Sequence, residues 1–369
     1  MPLKFVFGPS GSGKSTYLYQ HVIEESEKYP LKNFIVLVPE QFTMQTQKDL
    51  VSMHPRHGIM NIDVLSFARL AYRVFEETGT KQMQVLDDEG KNLILRKIAG
   101  DYENKLTVLK GNIKKLGYIS EVKSVISEFT QYDIGGEEMD EMLDHLDENS
   151  RLYYKLKDIR LLYEGFQDYL RERYITKEEL LDVLNSQVKE SELLKNSVVV
   201  LDGFTGFTPV QNRLILELMR CCKEVWVTVT MDERENPYAY KHPYQLFGLS
   251  KQMVTTLVRM AGEDHIDVEE PVCLYGYPVK RFEKNQELAF LERNIFRYGS
   301  GRYDKAVENL EIHAAGNPRQ EADAVAEGIR RLVRKEQYRY RDIGVIVSDM
   351  NVYGDYLEQA FENYGIPVF

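Results

Sequence analysis

Cysteine is scarce and tryptophan nearly absent, with 3 Cys and 1 Trp in 369 residues. Cys221 and Cys222 are adjacent, Cys273 stands alone, and no CxxC pair occurs. Neither a disulfide framework nor a metal knuckle is expected, and the expected compartment is reducing, most simply a cytoplasm. Long apolar runs are missing too. No stretch approaches the ~18 residues of a membrane span, and the strand-like run Leu3–Phe7 leads to the expectation of no signal peptide. Positive charge is also in deficit. A net charge of −11 excludes whole-surface attraction to nucleic acid, which is driven by clustered Lys and Arg. Any DNA contact is expected to be a local groove on an acidic body. What remains, 43% hydrophobic and 28% charged residues, is the balance of a folded globular chain. At roughly 150 residues per domain, two or three domains are expected.

Short, continuous, β-branched runs recur at Leu3–Phe7, Phe34–Val38, Ile62–Leu65, Val198–Leu201, Val225–Thr230 and Ile343–Val347. Runs of this kind are strands buried on both faces of a parallel sheet, and helical patterns lie between them as crossovers require. The expected class is α/β, a RecA-like P-loop NTPase sheet with a large helical insertion, followed by the start of a second αβ lobe. Residues 1–86 and 196–302 are expected to form the split first domain, 87–195 the insertion, and 303–369 the truncated second domain. No strand is expected inside 87–195, where Leu152, Leu156, Ile159, Leu162, Tyr163, Phe166 and Leu170 recur at helical spacing. The acidic segment 137–148 is expected to be a solvated helix face. In the last part, 310–315 and 343–347 are expected as strands around a helix over 320–333. A further strand is expected to begin at Gly365–Phe369, which suggests the front part of a longer protein.

The sharpest feature is GPSGSGKS, Gly8, Pro9, Ser10, Gly11, Ser12, Gly13, Lys14 and Ser15, followed by Thr16. It fits GxxxxGK[ST] without mismatch and stands between a strand and a helical pattern over 16–27. Glycines allow backbone N–H groups to close around a β-phosphate, and the helix dipole favours the anion. Lys14 is expected to reach the β- and γ-phosphates of ATP, and Ser15 to ligate Mg²⁺. The matching acidic strand is Val198 to Asp202, with Asp202 as a possible Mg²⁺-facing carboxylate. Gly203 follows where an active motor carries Glu. Loss of a water-orienting carboxylate removes a factor of typically 10²–10⁴ in rate, so ATP binding with weak or no hydrolysis is expected. The 187 residues between Ser15 and Asp202 are too many for a small nucleotide kinase and suit a motor with an elaborated first domain.

These residues resemble the B subunit of the bacterial AddAB (RexAB) helicase–nuclease, an inactivated relative of UvrD-like superfamily one helicases. The resemblance rests on residues 8–16, VPEQFT (38–43), VLSFARLAY (64–72), LDGFTGFTP (201–209), and the stretch from Glu321 to Pro367. It implies a subunit of an ATP-dependent helicase–deoxyribonuclease that processes DNA double-strand-break ends for recombinational repair. It also implies a heterodimer with an AddA/RexA-type motor-nuclease, recognition of single-stranded Chi DNA, and a nuclease with a 4Fe–4S cluster whose ligands lie beyond Phe369. The chain departs from an active helicase at Gly203, at Ala68, at Ser348, and at Met231–Glu233, where no GDxxQ motif follows the strand.

The resemblance also assigns the DNA face, because the loops after the second and third strands line the single-strand channel in helicases. Gln41 and Thr43 are expected to bond base edges, Phe67 and Tyr72 to stack, Arg69 to hold a phosphate or guanine, and Phe204 and Phe207 to extend the platform. Core packing of Phe67 and Tyr72 is the competing expectation. The His54/His57 pair lacks a third ligand nearby and is expected to be a loop pair. Two other functional classes stay open, a P-loop small-molecule kinase and a scaffold whose loop has lost its ligand.

Overall fold

The computed structural model describes residues 2–79, 84–113, 115–171, 174–297, 299 and 301–368. They fall into two compact units, Met1–Ala289 with Arg293–Tyr298, and Phe290–Glu292 with Gly299–Phe369.

The first unit is built on β1 (Leu3–Gly8), β2 (Asn33–Leu37), β3 (Ile62–Leu65), β4 (Gln84–Leu86), β5 (Tyr174–Thr176), β6 (Ser197–Leu201), β7 (Glu224–Thr230) and β8 (Val272–Cys273). Six of these form one parallel sheet in the order β3-β2-β6-β7-β1-β8. The side-chain period of two divides each strand between two apolar layers. Phe5, Phe7, Ile35, Leu37, Val199, Leu201 and Val227 face one layer. Val6, Phe34, Val36, Val198, Val200 and Trp226 face the other. This is why the strands read as unbroken hydrophobic runs.

Helices α1 (Lys14–Lys28) and α2 (Thr43–Met53) supply one layer, Leu18, Val22 and Leu50 among them. The opposite layer receives Leu70 and Val74 of α3 (Phe67–Thr78). Four helices then form a body with its own core: α4 (Asp88–Asp101), α5 (Leu116–Gln131), α6 (Gly136–Asp144) and α7 (Arg151–Leu170). Leu95, Ile98, Leu109, Ile113, Leu162 and Phe166 meet there. Asp158, almost fully buried, holds the connection between α4 and α5 by accepting the backbone N–H groups of Thr107, Val108 and Leu109 at 2.7–3.0 Å. The acidic helix α6 is largely exposed, anchored by Met139 inside and by Asp140, which accepts from Arg160 at 2.6 Å.

The expectation of no strand within 87–195 fails at Tyr174–Thr176. This three-residue strand pairs in parallel with Gln84–Leu86, tying the entry of the helical body to its exit. A strand that short leaves no periodicity to detect. By Leu180 the chain has rejoined the sheet. Leu180 and Leu184 of α8 (Leu180–Gln187) and Leu194 of α9 (Glu192–Lys195) pack in the sheet's own core. Helices α10 (Pro209–Cys221) and α11 (Gly248–Glu263) complete that layer with Leu214, Leu218, Val254 and Leu257.

Helix α12 (Gln286–Asn294) carries the chain across the boundary between units. In the second unit, α13 (Pro318–Lys335) and α14 (Met350–Tyr364) enclose a small core of Ala322, Ala326, Ile329, Leu357, Ala360 and Phe361. Neither 310–315 nor 343–347 forms a strand. Among the described residues neither finds a pairing neighbour, and Ile312 and Ile346 stand 100% and 97% exposed. An apolar run without a lateral hydrogen-bonding partner has no reason to extend as a strand. Residues 365–368 likewise form no strand, and Phe369 lies outside the described residues. Among the described residues no helix is long and apolar enough to cross a membrane.

Candidate nucleotide site and adjoining loops

β1 ends at Gly8 and α1 begins at Lys14, so residues 9–13 form the turn between them. Gly11 and Gly13 hold φ of +83° and +93°, a region that residues with a Cβ rarely enter. The turn closes through Ser12 N–H donating to the Pro9 carbonyl at 3.2 Å. The N-cap residue of α1 is Gly13, which offers no side chain, so among the described residues the first-turn N–H groups have no side-chain cap. The Ser12 hydroxyl is buried with no partner among the described residues. Lys14 Nζ donates back into the turn, to Gly8 O at 2.9 Å and Pro9 O at 3.0 Å. Burial pulls the Lys14 ammonium down to about 8; Asp202 opposes that shift and Arg281 adds to it.

Asp202, 4% exposed, follows β6 directly. Its N–H donates to Leu37 O at 2.9 Å, fixing it beside the end of β2. Its carboxylate is well bonded. Oδ1 accepts from Ser15 Oγ at 3.1 Å and Thr228 Oγ1 at 2.6 Å, and Oδ2 accepts from Tyr19 at 2.7 Å. The Tyr19 hydroxyl also lies 3.3 Å from Thr46 Oγ1. Burial, then the neighbouring Asp202 charge, pushes the Tyr19 phenol far above its usual range. One end of the sheet thus presents a cation and free helix N–H groups beside a carboxylate–hydroxyl pair. That set complements a metal-bound polyphosphate.

Gly203 takes φ +79° and donates its N–H to Thr228 Oγ1 at 3.3 Å. Position 203 is therefore held in a backbone conformation that disfavours any side chain.

The residues expected at a DNA face divide by exposure. Gln41, in the turn Glu40–Phe42, is exposed. Thr43 is buried, with its hydroxyl donating to Glu40 O at 2.9 Å. Ser66 caps α3, accepting the Arg69 N–H at 3.4 Å, and Arg69 and Tyr72 project from that helix as exposed side chains. Phe67 is only 7% exposed. It lies beneath the half-buried Phe204 and Phe207, with ring centroids 5.4 and 6.4 Å away, and those two rings are 5.2 Å apart. The structure brings these three phenylalanines together as one aromatic cluster and leaves Arg69 and Tyr72 outside its ring contacts. His54 is buried and its Nδ1 accepts the Arg56 N–H at 3.1 Å, a local loop role.

Sequence reasoning missed Tyr19, Thr46, Thr228 and Arg281. Tyr19 is one helical turn after Ser15, so its approach to Asp202 is legible once α1 is recognised. Thr228 and Arg281 carry no local signal. Phe42 and Met44, flanking Thr43, are exposed.

Residues 5–292 match the family described as ADDB, N-terminal. The chain belongs to this family. It is similar to three proteins each named as the B subunit of an ATP-dependent helicase/deoxyribonuclease. It is 44% identical over 376 residues to that of Lachnoclostridium phytofermentans, 34% over 369 residues to that of Clostridium kluyveri, and 35% over 372 residues to that of Caldanaerobacter subterraneus subsp. tengcongensis. Each comparison covers 100% of this chain and 32% of the relative, so this AddB-family chain spans about a third of their length.

Proposed function

We propose that this chain is the nucleotide-binding front part of an ATP-dependent helicase–deoxyribonuclease B subunit, built on a RecA-like P-loop NTPase fold. In this reading it works with a motor-nuclease partner of the AddA/RexA type on DNA double-strand-break ends in a reducing, cytoplasmic compartment. The observation that carries the reading is the 3.1 Å hydrogen bond from Ser15 Oγ to Asp202. It brings together, across 187 residues of sequence, the hydroxyl and the carboxylate that a phosphate-and-metal site needs, which supports more than a coincidental glycine turn.

Residues Gly8 to Ser15 would hold the ATP phosphates through backbone N–H groups, with Lys14 exchanging the Gly8 and Pro9 carbonyls for phosphate oxygens. Ser15 and Asp202 would hold Mg²⁺. When bound, Mg²⁺ neutralises charge between the β- and γ-phosphates. Hydrolysis is weak in this account, because Gly203 supplies no carboxylate to orient water and its backbone resists one. The exposed Gln41, Arg69 and Tyr72 would meet single-stranded DNA, including Chi. Phe204 and Phe207 form an aromatic edge supported from beneath by Phe67. Stacking of this kind contributes ~1–3 kcal/mol per base. The 4Fe–4S cluster and nuclease would be supplied by parts of the protein outside this chain.

The full-length protein, assayed with and without its motor partner, tests the reading. Alone it should bind Mg·ATP, turn it over at less than about 1 per second, and fail to separate duplex strands. Unwinding in the absence of the motor partner would overturn the passive role.

A further inference from the structure

The phosphate loop has a second wall that no sequence motif marks. β8 lies alongside β1, with Val272 opposite Val6 and Cys273 opposite Phe7. The pairing continues through Leu274 N–H, which donates to Phe7 O at 2.8 Å. The chain then turns back over the loop in a 3-10 turn at Lys280–Phe282, where Arg281 N–H donates to Gly11 O at 3.0 Å. The approach is close. A Cβ at Gly11 would come within 2.7 Å of Arg281 Cβ and 3.2 Å of its Nε, and a Cβ at Gly13 within 3.4 Å of Lys280 Cδ. Gly11 is therefore demanded twice, by its positive φ and by the room Arg281 needs.

Lys280 and Arg281 are exposed, and neither side chain forms a hydrogen bond or ion pair among the described residues. Lys14 opens the helix at the end of the same loop, one residue after Gly13, and the Arg281 charge acts on its ammonium. Three cations thus gather at one loop, and Asp202, already taken by three hydroxyl donors, is the carboxylate acting on Lys14. Like charges repel unless an anion of high charge sits among them. Arg and Lys on opposite sides of a phosphate are the usual complement. The turn is held against Gly11 and Gly13 by the Arg281 N–H bond to Gly11 O and by the close approach of Lys280 to Gly13, so a polyphosphate seated in the loop would lie beside both cations.

We propose that Lys280 and Arg281 form a cationic strap, supplied in cis, that grips the terminal phosphates of a nucleoside triphosphate and makes this site favour tri- over diphosphate. The proposal rests on the nucleotide-binding reading above. The strap explains how a site with a glycine at position 203 can still sense which nucleotide it holds. Triphosphate would engage Lys280 and Arg281 as well as Lys14, whereas diphosphate would engage chiefly the loop.

The test measures Mg·ATP and Mg·ADP affinity by calorimetry on the wild-type chain and on Arg281→Ala, Arg281→Lys, Lys280→Ala and Lys14→Ala, with a thermal melt of each. Arg281→Ala is expected to weaken ATP about 10- to 100-fold and ADP less than about threefold, the loss of one charge-assisted phosphate contact. Its melt should match wild type, and Arg281→Lys should recover part of the ATP affinity. Equal weakening of both nucleotides, or none, with Lys14→Ala still abolishing binding, would overturn the strap and leave the nucleotide site standing. A wild-type chain that binds neither nucleotide would overturn both.

Discussion

Tyr19 donates its phenol proton to Asp202 Oδ2 at 2.7 Å, linking the helix after the glycine-rich loop to the carboxylate that follows β6. The same hydroxyl lies 3.3 Å from Thr46 on α2, the helix that leads away from Gln41. Asp202 is thereby bonded at both oxygens in a nearly dry position. A buried carboxylate is stable only when so satisfied.

Tyr19→Phe removes one of these bonds and leaves Asp202 Oδ2 without its phenol donor. The fold should lose roughly 1–3 kcal/mol, the usual cost of an unmet buried acceptor. The freed oxygen should also lower the Mg²⁺ concentration needed for half-maximal ATP binding. Thermal melts and a Mg²⁺ titration at fixed ATP check both effects, and an unchanged melt would contradict the bond's structural role.

Lys14 gives a pH dependence whose sign is fixed. Its ammonium is held at about 8, against an ordinary 10.5, so the folded protein releases this proton before the unfolded chain does. Between those values the unfolded chain binds more protons, and this group's contribution to stability rises with pH. Nucleotide binding runs the other way, because phosphate needs the charged form. Mg·ATP affinity should fall roughly tenfold from pH 7 to pH 9, with proton uptake on binding near pH 8. Calorimetry in two buffers of different ionisation heat reads that uptake directly.

Gly203→Glu restores the residue type of an active motor but not its backbone. With φ at +79°, any Cβ there costs roughly 1–2 kcal/mol. The variant should melt earlier than wild type and show no gain in DNA-stimulated ATP turnover. A gain to motor rates would show that position 203 alone silences the site.

At the loops after β2 and β3, burial separates two substitutions that the sequence treats alike. Phe67→Ala empties a site under Phe204 and Phe207 and should cost ~3–5 kcal/mol of stability. Arg69→Ala, on an exposed position, should leave the melt unchanged and weaken single-stranded DNA binding. Differential scanning calorimetry and single-strand titrations on the same two proteins provide the comparison.

Much of the sheet was legible because strands buried on both faces are continuous apolar runs, and Gly8 to Ser15 announces itself by spacing alone. Asp202 was legible as the polar residue ending such a run. Tyr174–Thr176 was not, being too short to show a period. The runs at 310–315 and 343–347 have strand composition, yet pairing is a property of neighbours and not of a segment. Phe67 sits in a loop-to-helix junction that reads equally as surface or core, and only packing against Phe204 and Phe207 decides its burial. Thr228 and Arg281 reach the site through β7 and β8, and such long-range placement leaves no local trace.

The central claim is that Gly8 to Ser15 with Asp202 form a site for Mg·ATP. Calorimetric titration of Mg·ATP into the chain, beside its Lys14→Ala variant, tests it most directly. The account predicts saturable one-to-one binding that requires Mg²⁺ and vanishes in Lys14→Ala, while the two proteins melt alike. Binding that is absent from the wild type, or that survives Lys14→Ala undiminished, would contradict it.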